Sequence, residues 1–358
     1  MSVIEKKDRL LSKRFLASSI DAALPSQYKE AITELQDIFS GHSGERKPVS
    51  ECACCGSDVA YKIAEKDRYG IFLETLVCEQ CGFIFSGEHF SDDFSGKYYS
   101  TYANIFKNNG KSPEFLFDQR TKQGAYCWTR RNYVEQVLGK KFEAVKQVVE
   151  VGCNDGCNLY PYHIEGKATV GLDFDEARLA AGRSKGMTML RGSLQDLPEG
   201  QCTPGLVILS HLVEHLSDLD VFFTDLYERL QPGCYIYVEV PGYQWAVKTR
   251  RDIETVDNYT GSNDLLPYLQ LEHNYCFNLS TLRTFVERAG FFFIEGDEIV
   301  RAVFAKPEES SEKNLKPFQL DQRGETVLQY FSSVEKNYQR EFMRRLARRI
   351  YRGLKRYA

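Results

Sequence analysis

No stretch of the 358-residue chain approaches the roughly 20 consecutive apolar residues of a membrane span. The opening run MSVIEKKDRLL places charge where a secretory leader needs an apolar core, so the expectation is a cytoplasmic protein. Excess positive charge is lacking too. Lys and Arg number 46 against 50 Asp and Glu, a formal charge of −4, which argues against a whole-protein grip on nucleic-acid phosphate. Histidine is scarce, at six, so the search for a proton-transfer group is short. Internal repeats are missing. What the chain does have is 42% hydrophobic residues, enough for a full-sized core, and a length that suggests one large domain with smaller attachments. It also has 11 cysteines, which in a reducing compartment are free thiols or metal ligands before they are disulfides.

Residues 26–39 carry Tyr28, Ala31, Ile32, Leu35, Ile38 and Phe39 at helical spacing, which predicts an amphipathic helix in the N-terminal arm. The polar run 40–50 reads as a linker. From about Val148 to Ala305 the runs VVEV, ATVGLD, GLVILS, YIYVEV and FFFIEGDEI are separated by segments long enough for helices. Such alternation predicts an α/β fold with a mainly parallel sheet covered on both faces. A second polar stretch, Lys306 to Lys316, closes that domain, and the remaining tail reads as helical.

Cys52-x-x-Cys55-Gly56 and Cys78-x-x-Cys81-Gly82 form two knuckles, each with two thiolates spaced to share one tetrahedral Zn²⁺. The glycines are expected to let the backbone turn and aim amides at the sulfurs. Four sulfur ligands leave no open coordination position, so the zinc would be structural. Four buried cysteines without metal, and a nucleic-acid-reading ribbon, are the alternatives. The balanced charge of residues 52–82 speaks against the second.

Val148-Val149-Glu150-Val151-Gly152-Cys153-Asn154-Asp155-Gly156 is an apolar strand running into a glycine-bearing turn. Gly152 and Gly156 would let the backbone approach a ligand where the sheet ends, and Asp173, at the end of the next strand, can accept ribose hydroxyl protons. A dinucleotide fingerprint would read G-x-G-x-x-G, whereas here position 154 is Asn and Asp155 adds an acid beside the turn. A carboxylate repels pyrophosphate and suits the cationic sulfonium and amino group of S-adenosylmethionine.

On these residues the chain resembles a class I S-adenosylmethionine-dependent methyltransferase over roughly residues 120–305. The four cysteines, the stretch GFIFSGEHFSDDFSGKYYSTY and the loop VEVGCNDG together resemble the zinc-ribbon methyltransferases of nucleotide-linked deoxysugars and surface glycans. The resemblance implies a Rossmann-like methyltransferase sheet, at 91–305, behind a small zinc-binding module at 48–90. A helical N-terminal arm at 1–47 and a linker with a basic amphipathic helix at 306–358 complete it. It implies donor contacts at Glu150, Gly152, Asn154, Gly156 and Asp173. It adds Ser193 and Leu194 in the loop beside adenine, where Ser193 replaces the family's usual acid, and Ser210 at the exit of the fourth strand. The cofactors implied are S-adenosylmethionine and structural Zn²⁺, and the substrate a sugar or sugar conjugate.

Methyl transfer to a hydroxyl, or to the carbon beside a ketone, requires alignment and removal of a proton. His273 lies in Leu271-Glu272-His273-Asn274-Tyr275, which resembles the segment crossing the acceptor pocket of sugar methyltransferases. It is the expected base, with Glu272 or Tyr275 orienting it; capping of the following helix is the alternative. His211 and His215 lie beside the donor site and are further catalytic candidates, with packing or hydrogen bonding as the alternative. Tyr98, Tyr99 and Tyr102, and Tyr243 with Trp245, are aromatics that could meet a sugar or simply pack. Carbon-methylating relatives carry a further α/β domain where this chain has residues 306–358, which leaves oxygen methylation equally open. From Arg340 to Ala358, eight basic residues face the single Glu341, and Phe342, Leu346, Ile350 and Leu354 repeat every fourth position. This basic amphipathic helix suits packing, an oligomer contact or a peripheral hold on the inner face of the membrane. A methyltransferase for a non-sugar small molecule, protein or RNA, and a noncatalytic zinc-ribbon scaffold, are the rival functions.

Overall fold

The computed structural model describes residues 4–18, 28–40, 44–108, 111–197, 205–243, 264–308 and 318–354. The chain divides into two units, one of Met1–His89, Gly242–Cys276 and Asp321–Ala358, the other of Phe90–Pro241 and Phe277–Leu320. The linear boundaries expected at 47, 90 and 305 therefore describe the molecule only in part. Residues 242–276 join the cysteine-bearing unit, and so does the tail. Composition marks where a chain is polar, but which core an apolar face joins is a matter of tertiary packing.

In the first unit β1 (Glu5–Asp8), β3 (Val59–Lys66), β4 (Phe72–Cys78), β5 (Ile84–Ser86) and β12 (Tyr275–Cys276) form one sheet in that order. β1 runs parallel to β3, and the remaining pairs are antiparallel. A short ladder joins β2 (Arg46–Pro48) to β6 (Glu88–Phe90). The turn between β3 and β4 is made by Asp67, whose carboxylate accepts the amides of Tyr69 and Ile71, each at 2.8 Å. This side chain-to-backbone pairing is what lets a short connection reverse the strand.

The predicted N-terminal helix is present as Lys29–Ser40 and buries Ala31, Ile32 and Leu35. The strand β1 ahead of it was not expected. The tail forms one helix, Gly324–Leu354, whose Val327, Leu328, Phe331 and Val334 are buried, the first three in a core shared with Phe15, Ile63, Val77, Leu266 and Leu269. Arg14 ties three distant segments of this unit, bonding Asp264 at 2.6 Å and Glu335 at 2.8 Å. Packing thus accounts for the first half of the tail helix. Beyond it Phe342 and Met343 are 54% and 60% exposed, and the side chains of Leu346, Ile350 and Leu354 lie outside the described residues. Among the described residues no helix is long and apolar enough to cross a membrane.

In the second unit β7 (Gln147–Val151), β8 (Ala168–Asp173), β9 (Thr188–Arg191), β10 (Gly205–Ser210), β11 (Tyr235–Glu239), β13 (Phe292–Gly296) and β14 (Arg301–Ala305) form a sheet of order β13-β14-β11-β10-β7-β8-β9. The strands from β9 to β11 are parallel, and β14 is antiparallel to both neighbours. All six residues of β10 are buried, which explains why its sequence is a continuous apolar run rather than an alternation. The run expected as one strand at 291–299 stops at Gly296, because Asp297 accepts the amides of Ile299 and Arg301 and turns the chain into β14.

The position of the site follows from the strand order. After β8 and β9 have been laid on one side of β7, the chain returns to place β10 on the other. In open α/β sheets a ligand crevice forms at such a reversal, outside the carboxyl ends of the two strands concerned, which here are β7 and β10.

Candidate active site

Gly152 follows β7 directly, with φ of 71°, a left-handed conformation that favours glycine. Its amide and that of Cys153 donate to the Leu172 carbonyl, at 2.8 and 3.0 Å, so the loop is pinned to the end of β8. A Cβ on Gly152 would come within 3.1 Å of Leu212, in the loop leaving β10. Gly156 has a different task from the one expected. It holds a positive φ of 79°, and its missing Cβ would meet Met189 at 2.8 Å and Met187 at 3.0 Å, so both the turn and the core beneath it require glycine here.

Asn154 also holds a positive φ, 55°, and its side chain is absorbed by the loop. Its Oδ1 accepts from Arg178 at 2.6 Å, from the Asp155 amide at 2.9 Å and from Arg120 at 3.3 Å. Asp155 itself is buried and paired with Arg120 at 2.8 Å. The expectation that Asp155 lends negative charge to the donor is therefore corrected, since the guanidinium neutralises it locally. No local motif announces Arg120 or Arg178; they arrive from the helices Pro113–Arg120 and Glu176–Arg183.

Glu150 keeps its place. It is fully buried on β7; Oε1 accepts from Asn158 at 2.7 Å, and Oε2 has no hydrogen-bond partner. Burial pushes its carboxyl up to about 8, against the opposing pull of the Asn158 amide and Arg130. A buried carboxylate oxygen with nothing to accept is costly, and at a ligand crevice it fits a cationic partner. Asp173, at the end of β8, accepts the Asn154 amide at 2.7 Å and the Asp175 amide at 3.0 Å, one on each oxygen. Each oxygen has a second lone pair for a diol. The next residue, Phe174, is 67% exposed, a bare aromatic face at the sheet edge that the sequence reading passed over. Only the strand end, which places Asp173 and Phe174 together, would have signalled it.

Leu194 is buried, and Ser193 spends its amide on Asp196 at 2.8 Å and its hydroxyl on Gln195 at 2.7 Å. Asp196 thus closes a capping box with Ser193 at the start of the short helix Leu194–Asp196. Ser210 is buried at the end of β10, and His211 follows with φ of 54°. The His211 ring lies 3.3 Å from Glu214 through Nδ1 and 3.6 Å from Glu239 through Nε2. Burial opposes its protonation, but the hydrogen bonds to these two carboxylates outweigh it and raise the imidazole to about 9. The side chain is 45% exposed, so solvent screens part of that attraction.

Tyr98 and Tyr102 are buried around a wide turn, Tyr98–Tyr102, and Tyr98 packs on Phe90, so both serve packing. Tyr99 is half-exposed, with its ring edge-on to His215 at 5.9 Å. Glu272, His273 and Tyr275 belong to the first unit and are buried. His273 donates its amide to the Gln270 carbonyl at 3.0 Å, and Glu272 adds to the burial that pushes the Asp67 carboxyl up to about 7. Tyr275 stacks on Phe83 at 5.5 Å and meets the His89 ring edge-on, which makes it a core residue of the small sheet. Tyr243 likewise packs on Phe331, and Trp245 lies outside the described residues.

The four cysteines converge in the first unit. Cys52 and Cys81 are 3.6 Å apart, Cys55 and Cys78 3.5 Å, and all four sulfurs lie within 4.8 Å of one another. The amides aimed at sulfur come from Ser57, toward Cys55, and Cys81, toward Cys78. Gly56 and Gly82 instead close their turns onto the carbonyls of Cys52 and Cys78, with φ of 74° and 69°.

Residues 126–295 match the family model described as "Methyltransferase domain". The chain carries a methyltransferase domain. A curated relative, a probable S-adenosylmethionine-dependent methyltransferase of Mycolicibacterium smegmatis, is 29% identical over 118 residues, 32% of this chain and 46% of that protein. The chain thus matches less than half the length of that relative. Similar solved structures include a SAM-dependent methyltransferase from Archaeoglobus fulgidus, 21% identical with a TM-score of 0.36, covering 67% of this chain and 92% of that one. Another, from Methanosarcina mazei, is 12% identical with a TM-score of 0.35, covering 46% and 94%. The methyltransferase domain has the sheet expected of class I enzymes, a parallel sheet with one antiparallel strand, β14, let in between β11 and β13.

Glu150 makes the domain's stability depend on pH. Its proton is held more tightly in the folded chain than in the unfolded one, so its contribution is present below the ordinary glutamate range and is lost as pH rises through about 8. Thermal unfolding without ligand is expected to show E150Q gaining on the parent chain between pH 5 and 8.5. Parallel curves for the two proteins would remove this account of Glu150.

Proposed function

We propose that the protein is an S-adenosylmethionine-dependent methyltransferase acting on a carbohydrate, a nucleotide sugar or surface-glycan sugar, with zinc held by the cysteine cluster. One observation carries the donor assignment: where the strand order reverses stand a positive-φ Gly152, an Asp173 carboxylate fixed by two backbone amides and a buried Glu150 oxygen with no hydrogen-bond partner. When bound, S-adenosylmethionine supplies a methyl group already activated by its sulfonium. Asp173 would accept the ribose hydroxyls, Glu150 would face the cationic amino-acid end, and Phe174 would lie against the adenine with Asp196 near its amino group. Gly152 and the Asn154 backbone shape the floor.

The sugar acceptor is supported by the pairing of four-cysteine knuckles with the VEVGCNDG loop in one chain. His273 is the proposed base for the acceptor proton, with Glu272 beside it in sequence to orient the ring. The cysteine geometry suits zinc. Four thiolates about 2.3 Å from one ion stand about 3.8 Å apart, close to the two spacings observed, and they leave no position for substrate. The end of the tail helix, with Phe342 and Met343 exposed among arginines, suits contact with an anionic membrane carrying the conjugate, or with a second copy.

Calorimetry with S-adenosylmethionine and S-adenosylhomocysteine is expected to show binding of both. Asp173→Ala should weaken it by roughly 10- to 100-fold, the loss of hydrogen bonds to a charged acceptor worth about 1.5–3 kcal/mol. Failure to bind either nucleoside would overturn the donor assignment. Methyl transfer to nucleotide sugars or lipid-linked glycans should disappear in His273→Ala while donor binding persists; near-normal turnover would dismiss His273 as the base. Metal analysis is expected to find one zinc per chain, and its removal by a chelator to lower the unfolding midpoint of the first unit. A metal-free chain of unchanged stability would leave the cysteines as ordinary core thiols.

A further inference from the structure

We infer that the end of the tail helix, from Arg340 to Leu354, is a docking face for an anionic lipid surface and lies in the plane of the headgroups with its apolar side toward the acyl chains. The inference deepens the carbohydrate reading by naming the surface where a lipid-linked acceptor is met, and to that extent rests on it. The helix Gly324–Leu354 has two stretches with different surroundings. As far as Tyr338, over whose ring the Arg14 guanidinium lies at 3.9 Å, it is held by its own unit. Past Tyr338 no described side chain is buried. The helix nevertheless continues to Leu354, a further 24 Å or so at about 1.5 Å per residue.

The apolar face of this end does not continue the packed one. Eighteen residues make about five helical turns, so positions 345, 349 and 352 fall in register with the buried Val327, Phe331 and Val334, and all three are arginine. Of the four buried hydrophobic residues, Leu328 alone has an apolar successor, Leu346. At about 100° per residue, Phe342, Met343, Leu346, Ile350, Tyr351 and Leu354 fall instead within one half of the circumference, and the arginines from 340 to 352 within the other. Phe342 and Met343 are exposed, as are Arg340 and Arg344. A broad apolar arc backed by a cationic one is the form that lies in a bilayer interface, whereas the seam between two paired helices is narrower and carries acids at its borders to answer the cations. Here the borders are Arg340 and Arg344 on one side and Arg349 on the other. A second copy would set like charges together. Lipid phosphate answers them. The charge is also local: residues 340–358 carry eight basic residues and one acid, and the remainder of the chain 38 basic against 49 acidic. An anionic surface therefore repels the bulk of the protein and attracts this end of it, which orients the approach.

The test is sedimentation of the full chain with vesicles of phosphatidylcholine alone, and of phosphatidylcholine with phosphatidylglycerol at about two to one. Binding is expected to the anionic vesicles only and to weaken with salt, each arginine contributing about fivefold in affinity. Phe342→Ser with Met343→Ser should lower the affinity about tenfold or more, and so should Arg340→Glu with Arg344→Glu. All four side chains are exposed, so the unfolding midpoint should not move. On anionic vesicles the emission of Phe342→Trp should shift to the blue relative to the parent chain with its two tryptophans, and that of Arg348→Trp should not. Equal binding to neutral vesicles, binding to neither, or a blue shift at both positions would overturn the inference. So would a dimer in sedimentation velocity that Phe342→Ser with Met343→Ser dissolves, since the face then belongs to a second copy. Vesicle binding needs neither donor nor acceptor; absence of methyl transfer to a lipid-linked glycan, with binding as expected, would strike the carbohydrate reading and leave the membrane contact standing.

Discussion

The second unit depends on a reversal of strand order. A parallel sheet laid outward in both directions from its middle must separate two neighbouring loops, and here they leave β7 and β10. Of the residues proposed for the donor, Gly152 lies on the first of those loops, Glu150 on β7 itself, and Asp173 with Phe174 at the end of the next strand. The crevice needs no special residue to exist, only a chain that returns past its starting strand. Specific residues decide what it can hold.

Their charges are handled by pairing. Around the loop the structure buries Glu150, Asp155 and Glu239 and brings in Arg120, Arg130 and Arg178. Asp155 and Glu239 are matched by guanidinium groups, whose planar fork suits a carboxylate in a dry setting. Glu150 is reached only through Asn158, an amide with no net charge, and one of its oxygens remains without a partner. The unmatched acid at the end of the central strand is thus the group left for a cationic ligand to ionise. A pocket that cancelled every carboxylate would have no reason to prefer a cation.

The first unit solves a different problem. Its small sheet has limited apolar area, and it is supported from three parts of the chain: the N-terminal segment through Phe15 and Arg14, the segment at Asp264 to Leu269, and the tail helix through Phe331 and Glu335. The knuckles sit at the open end of the β3–β4 hairpin, where a cross-link through four sulfurs would hold strands that too few side chains pack. Tyr275 and Tyr243 belong to this packing, which is why aromatic residues that looked available for a sugar turn out to be core.

Local pattern alone marked β7, β8, β10, β11 and β13 but neither β9 nor β14, and it marked the glycine turn with Glu150 and Asp173, the paired cysteines and the amphipathic helices, because each is written in short-range spacing. Tertiary structure decided what those residues do. Asp155 is paired with Arg120, Gly156 packs on methionines, and His211 faces Glu239, all through partners 28 to 35 positions away that no local period records. It also decided to which core residues 242–276 and the tail belong. Spacing reports which face of a segment is apolar; only the folded chain determines which other face covers it, and charge is set by that neighbour.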